Sequence, residues 1–169
     1  MSRAIGATAG TRDFDSLIGP HIEAGYRYAV TLLQDPEEAR DAVQEAQIKA
    51  WRSIARLRDL EQARSWFFSI VHNQCRSTMR KRWWLLGRNP LRAVRVEWQE
   101  DRMARSLDID AGMRRLHPHD RAILELFYYE DLTLEEVAQT LDLSVGAARS
   151  RLYRAAKKLK PNLSEEDLR

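Results

Sequence analysis

The spacing of apolar residues limits what this chain can fold into. Apolar residues recur three and four positions apart along most of its length, as in Leu134, Val137, Ala138 and Leu141, and this is the spacing of one helix face. The sequence lacks the sustained alternation of apolar and polar residues, bounded by turn residues, that is typical of strands. We therefore predict an all-α protein.

Composition narrows the class of protein further. With 169 residues, 44% of them hydrophobic and 31% charged, the chain is long enough for one ordinary domain or two small ones. Its uncharged apolar runs are far shorter than the roughly 20 residues that cross a bilayer, and its first residues lack the apolar segment of a secretory signal. Cys75 is the single cysteine, which argues against a disulfide framework or a cysteine-based zinc site within the chain. We expect a cytoplasmic protein with no direct membrane insertion.

Basic residues are concentrated in two segments of an otherwise acidic chain. Residues 76–96 include seven basic residues and no acidic residue, and residues 144–160 include six basic residues and no acidic residue. Blocks of like charge favour contact with a polyanion, so the sequence predicts two separate nucleic-acid contacts and an acidic remainder that is free for another partner. The alternative is that either run is only a solvated face.

Three helices are predicted in the first half of the chain. The first runs from about Phe14 to Leu33. The second has Asp35 as its cap, Pro36 at its first helical position and Glu38 three residues after the cap. Its inward residues are small, which permits close helix packing: Ala39, Ala42, Val43, Ala46, Ala50 and Ile54. The third helix runs from about Ser65 to Arg82 and leads into the first basic segment.

The last third of the chain contains the sharpest local signal. Thr133 and Glu136 form a capping box at the start of a short helix, and Ser144 caps a longer one after a tight turn. The inward residues of the longer helix are Val145, Ala148, Leu152 and Leu159, and its opposite side holds Arg149, Ser150, Tyr153, Arg154 and Lys157. This pattern predicts a helix-turn-helix whose second helix can enter a major groove. An ordinary helical hairpin is the alternative, but it would not explain why the basic residues are confined to the second helix.

The chain resembles a bacterial sigma factor of the extracytoplasmic-function type from about Phe14 to Leu159. The resemblance rests on the order and separation of several motifs, which are Asp35-Pro36-Glu37-Glu38-Ala39, Asp41-Ala42-Val43-Gln44-Glu45, Ala50-Trp51-Arg52, Arg64-Ser65-Trp66-Phe67-Phe68-Ser69-Ile70, Leu116-His117-Pro118, Leu132-Thr133-Leu134-Glu135-Glu136-Val137-Ala138 and Val145-Gly146-Ala147-Ala148-Arg149-Ser150-Arg151-Leu152-Tyr153-Arg154-Ala155.

The resemblance implies two small helical domains joined by a flexible linker. Sigma domain 2, which docks on core polymerase and reads the minus-10 element, is expected at residues 14–84. Sigma domain 4, with the helix-turn-helix that reads the minus-35 element, is expected at residues 107–160. A flexible amino terminus (residues 1–13), the linker (residues 85–106) and a tail (residues 161–169) complete the layout.

The resemblance also assigns three groups of site residues. The minus-35 group contains Arg149, Ser150, Arg151, Tyr153, Arg154, Lys157 and Lys158. The minus-10 group contains Trp66, Asn73, Arg76, Arg80, Lys81 and Arg82, beside a base pocket formed by the loop from Arg56 to Ala63. The polymerase-docking group contains Asp41, Gln44 and Glu45. Trp66 and Phe67 also have the spacing of a buried face, so a core role is the competing interpretation for both.

The expected partners are core RNA polymerase through its beta and beta-prime subunits, promoter DNA and an anti-sigma factor. No catalytic residue, metal or cofactor is expected, because His117 and His119 lack neighbouring ligands and the glycine patterns of nucleotide-binding loops are absent. Two other classes stay open at this point. One is a conventional helix-turn-helix regulator that acts without polymerase, and the other is a small recombinase or nuclease.

Overall fold

The computed structural model describes residues 14–86 and 107–159, and these parts are helical and contain no strand. The α-helices are α1 (Ile22–Leu33), α2 (Pro36–Ser53), α3 (Ala63–Leu86), α4 (Leu107–Arg115), α5 (Pro118–Leu124), α6 (Leu134–Thr140) and α7 (Val145–Leu159). We call residues 14–86 the amino-terminal lobe and residues 107–159 the carboxy-terminal lobe. The all-α prediction is confirmed. Residues 87–106, which are most of the predicted linker, lie outside the described residues, as do residues 1–13 and 160–169.

The amino-terminal lobe is a bundle of α1, α2 and α3. Asp35 caps α2 as predicted, since its carboxylate accepts hydrogen bonds from the backbone N–H groups of Glu37 and Glu38 at 2.9 and 3.0 Å. The predicted inward residues of α2 are all buried: Ala39, Ala42, Val43, Ala46, Ala50 and Ile54. At Gly25 an added Cβ would lie 2.9 Å from Cε1 of Phe67, so the missing side chain lets α1 and α3 approach closely.

Two predicted helix boundaries in this lobe are wrong. The first helix is not continuous from Phe14 to Leu33, because a helical turn at residues 14–17 is followed by a 3₁₀ turn at Gly19–His21 before α1 begins. Proline lacks an N–H and disfavours a helical residue before it, which accounts for the interruption at Pro20. The third helix is longer than predicted at both ends, and the polar stretch before it contains 3₁₀ turns at Ile54–Arg56 and Leu60–Gln62.

The carboxy-terminal lobe ends in the predicted helix-turn-helix, α6 and α7. The capping box is present in full, with the Glu136 backbone N–H donating to Oγ1 of Thr133 and the Thr133 backbone N–H donating to the Glu136 carboxylate. Asp142 adopts the left-handed conformation in the turn, with φ of 55°. Before α6, residues Glu125–Tyr129 continue α5 as a π-helical turn.

Most of the predicted inward face of α7 is buried, but Val145 is not. Ala148 and Leu152 are buried together with Ala155 and Ala156, and Leu159 is partly buried against the core. Val145 is 37% exposed. It stands at the first position of α7, immediately after the turn.

The two lobes are in direct contact with each other. The buried Arg121 of α5 donates through Nη2 to the carbonyl of Leu32 at 2.9 Å, and through Nη1 to the carbonyls of Leu116 and Arg114 at 2.9 and 3.1 Å. Burial lowers the pKa of Arg121 to about 10, with the charge of Arg82 as the smaller cause. One cation therefore joins the last turn of α1 to the last turn of α4.

Candidate nucleic-acid and polymerase interface

Helix α7 presents most of the predicted minus-35 residues to solvent. Arg149, Ser150, Arg154, Lys157 and Lys158 are exposed, and Arg151 and Tyr153 are half-buried. Because the opposite face packs on α5 and α6, these side chains share the outer surface of the helix-turn-helix. Guanidinium groups in this position can donate two hydrogen bonds to the O6 and N7 acceptors of a guanine.

Two lysines of α7 make contacts within the lobe. Nζ of Lys157 lies 5.7 Å from the ring centroid of Tyr153, and Nζ of Lys158 lies 2.5 Å from Oδ2 of Asp120. A DNA contact by Lys158 must therefore compete with an ion pair that the sequence did not reveal. Lys157 is exposed and lies over an aromatic ring rather than against a carboxylate, so it is the better candidate for a simple phosphate contact.

The predicted minus-10 residues divide between two sides of α3. At 3.6 residues per turn, Trp66, Asn73, Arg76 and Arg80 fall on one face, with Lys81 at its edge. Asn73, Arg76, Arg80 and Lys81 are exposed, so this face carries a row of donors that a nucleic-acid strand can reach.

Arg82 lies on the other side of α3 and is engaged inside the lobe. Its Nη2 donates to the carbonyl of Leu33 at 3.2 Å and pairs with the carboxylate of Glu38. Burial raises the pKa of Glu38, and the charge of Arg82 opposes that rise. The DNA contact assigned to Arg82 stays a prediction, and it would require this residue to leave the partners that hold α3 against α1 and α2.

A cavity of about 530 Å³ opens beside the first turns of α3. Its walls are formed by the last residue of α2, the loop before α3, the start of α3 and one residue of α6. The lining residues are Ser53, Arg56, Leu57, Arg58, Asp59, Gln62, Ser65, Trp66, Ser69 and Gln139. The cavity is where the sequence predicted the base pocket. Phe67 is fully buried, which confirms its core interpretation, whereas Trp66 packs against the core and also lines the cavity.

The outer face of α2 carries the predicted docking residues. Asp41, Gln44 and Glu45 are exposed. The same face continues into Ile48 and Trp51, which are 37% and 52% exposed. The sequence prediction did not include these two residues as contacts, although their helical spacing from Gln44 and Glu45 already placed them on this face. An aromatic anchor with a polar surround is the composition of a protein-binding surface.

The described residues contain neither a cluster of three or more potential metal ligands nor a helix long and apolar enough to span a membrane. His117 and His119 stack on each other with ring centroids 5.0 Å apart. His117 has a local role as the cap of α5, where its Nδ1 faces the backbone N–H of His119 at 3.4 Å.

Comparison with known proteins identifies both lobes. The family model of sigma-70 region 2 matches residues 17–85, and the model of sigma-70 region 4 matches residues 106–159. The sigma factor SigV of Bacillus subtilis is 28% identical over 151 residues, which cover 89% of this chain and 91% of SigV. SigL of Mycobacterium tuberculosis, an extracytoplasmic-function sigma factor, is 27% identical over 172 residues, which cover 98% of this chain and 97% of SigL.

Solved structures show the same fold. The sigma factor RpoE of Bartonella quintana, in complex with the anti-sigma factor NepR, superimposes with a TM-score of 0.76 at 23% identity, covering 89% of this chain and 96% of that one. CnrH, in complex with the cytosolic domain of CnrY, gives a TM-score of 0.65 at 23% identity, and the match covers 92% of each chain.

The two helical lobes, one matching region 2 and the other region 4, define a two-domain sigma factor. The chain belongs to the extracytoplasmic-function sigma factors of bacterial RNA polymerase. Sigma factors are transcription initiation factors rather than enzymes, and they direct RNA polymerase to promoters.

Proposed function

We propose that this chain divides promoter recognition among three surfaces. The face of α2 with Asp41, Gln44 and Glu45 docks on core polymerase, the exposed face of α7 reads the minus-35 duplex, and the cavity beside Trp66 captures a base of the opened minus-10 element. The observation that carries the proposal is the row of exposed basic side chains on α7, which is the second helix of a helix-turn-helix whose first helix begins with a complete capping box. A conventional regulator that acts without polymerase is not favoured, since the family is defined over both lobes.

An anti-sigma factor is the further partner that we propose. The sigma factor RpoE was solved in complex with the anti-sigma factor NepR, and CnrH, which has the same fold, was solved in complex with the cytosolic domain of CnrY. Such a partner would regulate access to the surfaces of α2 and α7. We place the chain in the cytoplasm with polymerase and DNA, and any membrane association would arise through the anti-sigma factor.

The base-pocket assignment predicts a selective defect for Trp66→Ala. Stacking of a base on an aromatic side chain is worth about 1–3 kcal/mol, which corresponds to about 5- to 150-fold in affinity. We expect the holoenzyme with this variant to lose affinity in that range for a single-stranded non-template minus-10 oligonucleotide. Its affinity for a minus-35 duplex should stay unchanged. Both affinities can be measured by fluorescence anisotropy.

Trp83→Ala is the matched control for this variant. Trp83 is an exposed tryptophan of the same helix, and it lies about 25 Å further along the helix axis at 1.5 Å per residue. The holoenzyme with Trp83→Ala should bind both DNA probes as the holoenzyme with the unmodified chain does. Equal loss of single-strand binding in the two variants, or no loss for Trp66→Ala, would remove the base pocket from the proposal.

A further inference from the structure

A buried carboxylate of the carboxy-terminal lobe is held by two arginines of the amino-terminal lobe. Glu130 follows the π-helical turn and is 4% exposed. Its Oε1 lies 3.6 Å from Nη2 of Arg27 on α1, and its Oε2 lies 3.4 Å from Nη2 of Arg64 on α3. Arg64 also donates to the Glu130 backbone carbonyl. Burial raises the pKa of Glu130 and the two arginines oppose that rise, so this carboxylate depends on its partners for the compensation of its charge.

Other hydrogen bonds also join the two lobes. Arg121 donates to the Leu32 carbonyl, Oγ1 of Thr140 donates to the Ser65 carbonyl at 3.3 Å, and Nε2 of Gln34 donates to the Arg114 carbonyl at 3.1 Å. Nε2 of Gln139 donates to Oε1 of Gln62 at 3.2 Å, and both of these residues line the cavity beside Trp66. The first helix of the helix-turn-helix therefore forms part of the wall of the minus-10 cavity.

This closed arrangement conflicts with the simultaneous reading of two promoter elements. Elements 25 base pairs apart are separated by about 85 Å along B-form DNA, at 3.4 Å per base pair. In the structure the lobe assigned to one element is hydrogen-bonded to the lobe assigned to the other. Promoter binding at both elements therefore requires the contacts between the lobes to break.

We propose that Glu130, clamped by Arg27 and Arg64, is a latch that holds the free chain closed, with α6 against one wall of the cavity beside Trp66, and that assembly with core polymerase and promoter must open it. The inference rests on the proposed division of promoter recognition between the lobes. Opening costs free energy, so the latch lowers the apparent affinity of the chain for its target by the fraction of molecules that are open.

The first test locks the lobes together in the full chain. Gln34→Cys and Arg114→Cys place two thiols at a contact outside the three recognition surfaces, where a short bismaleimide can bridge them. Native Cys75 is buried, which raises the pKa of its thiol to about 12 and leaves it a poor nucleophile. We expect rapid cross-linking within one molecule and a loss of promoter-specific transcripts of at least about tenfold, the factor given by each 1.4 kcal/mol. The controls are the two single-cysteine variants capped with a monofunctional maleimide.

The second test releases the latch. Glu130→Gln keeps the shape of the side chain and removes its charge. Arg27→Gln removes the more exposed of the two arginines that contact Glu130. Both variants should lower the chain concentration that gives half-maximal transcription from a promoter mapped with the unmodified chain. The expected shift is about tenfold for each 1.4 kcal/mol of lost coupling. A purely structural role would instead weaken the assembly, so the direction of the shift is diagnostic.

The outcomes separate the latch from the proposed function. Failure of the unmodified chain to support promoter-specific transcription would contradict the function itself. If the unmodified chain is active, three results would overturn the latch: no cross-link between residues 34 and 114, full activity of the cross-linked chain, or an unchanged or raised half-saturating concentration for Arg27→Gln.

Discussion

Replacing Asp41 and Glu45 by lysine is expected to abolish binding of the chain to core RNA polymerase while the fold is retained. Both carboxylates are exposed on the outer face of α2, whereas the inner face of that helix supplies the buried alanines. Surface substitutions of this kind usually change stability by no more than about 0.5 kcal/mol. At an interface, by contrast, bringing like charges together costs several kcal/mol, which is at least a hundredfold in affinity. The affinity can be measured as binding of each chain to surface-immobilised core polymerase, and the stability can be measured by thermal unfolding.

A second pair of charge reversals, placed outside α2, separates the loss of the docking surface from the change in the net charge of the chain. Asp15 and Glu23 are exposed acids of the same lobe that lie outside α2, so Asp15→Lys with Glu23→Lys changes the charge of the chain by the same amount. This control should bind core polymerase nearly as well as the unmodified chain. Trp51→Ala, which truncates the exposed aromatic residue of the α2 face, should also weaken binding strongly. Equal affinities for the two charge-reversed chains would show that α2 is not the docking surface.

The second large effect is expected at Arg149 and Arg154 of α7. If each guanidinium reads a base edge, replacement by alanine costs about 1–3 kcal/mol and relaxes the preference at one promoter position. The double variant should lose discrimination among minus-35 sequences almost entirely, provided that the two contacts are independent. The measurement is the ranking of a panel of minus-35 variants by holoenzyme affinity.

Lysine variants of the same helix provide the contrast. Lys157→Ala should weaken all promoters alike and reduce the dependence of log affinity on log salt concentration by about one ion, as expected for a phosphate contact. Lys158→Ala should behave in the same way but less strongly, because its ammonium group is shared with Asp120. An unchanged ranking of promoters with Arg149→Ala would show that Arg149 does not read bases.

Features controlled by neighbouring residues were predictable from the sequence. The cap at Asp35, the capping box of Thr133 and Glu136, and the alanine face of α2 depend on residues within one or two helical turns, and all are present. The interruption at Gly19-Pro20 is equally local, because the Gly-Pro pair marks a break in the sequence even though the apolar spacing on either side is helical.

Contacts between distant segments were not predictable in this way. The sequence predicts a DNA contact for Arg82 with its basic neighbours and does not reveal the contact with Glu38, which lies 44 residues away in the chain. Helical spacing would have separated it from Arg76 and Arg80, since it falls on the other face of α3. The pairing of Glu130 with Arg27 and Arg64 requires the packing of one lobe on the other, which apolar periodicity within each lobe does not specify.

The most direct test of the central claim is to map the 5′ ends of transcripts made from genomic DNA by core RNA polymerase with and without this chain. A promoter-directing sigma factor should produce a limited set of new start sites. These sites should share one sequence element near minus 10 and another near minus 35, and they should disappear with Asp41→Lys and Glu45→Lys. Start sites identical to those of core polymerase alone would contradict the assignment of this chain as the promoter-recognition subunit.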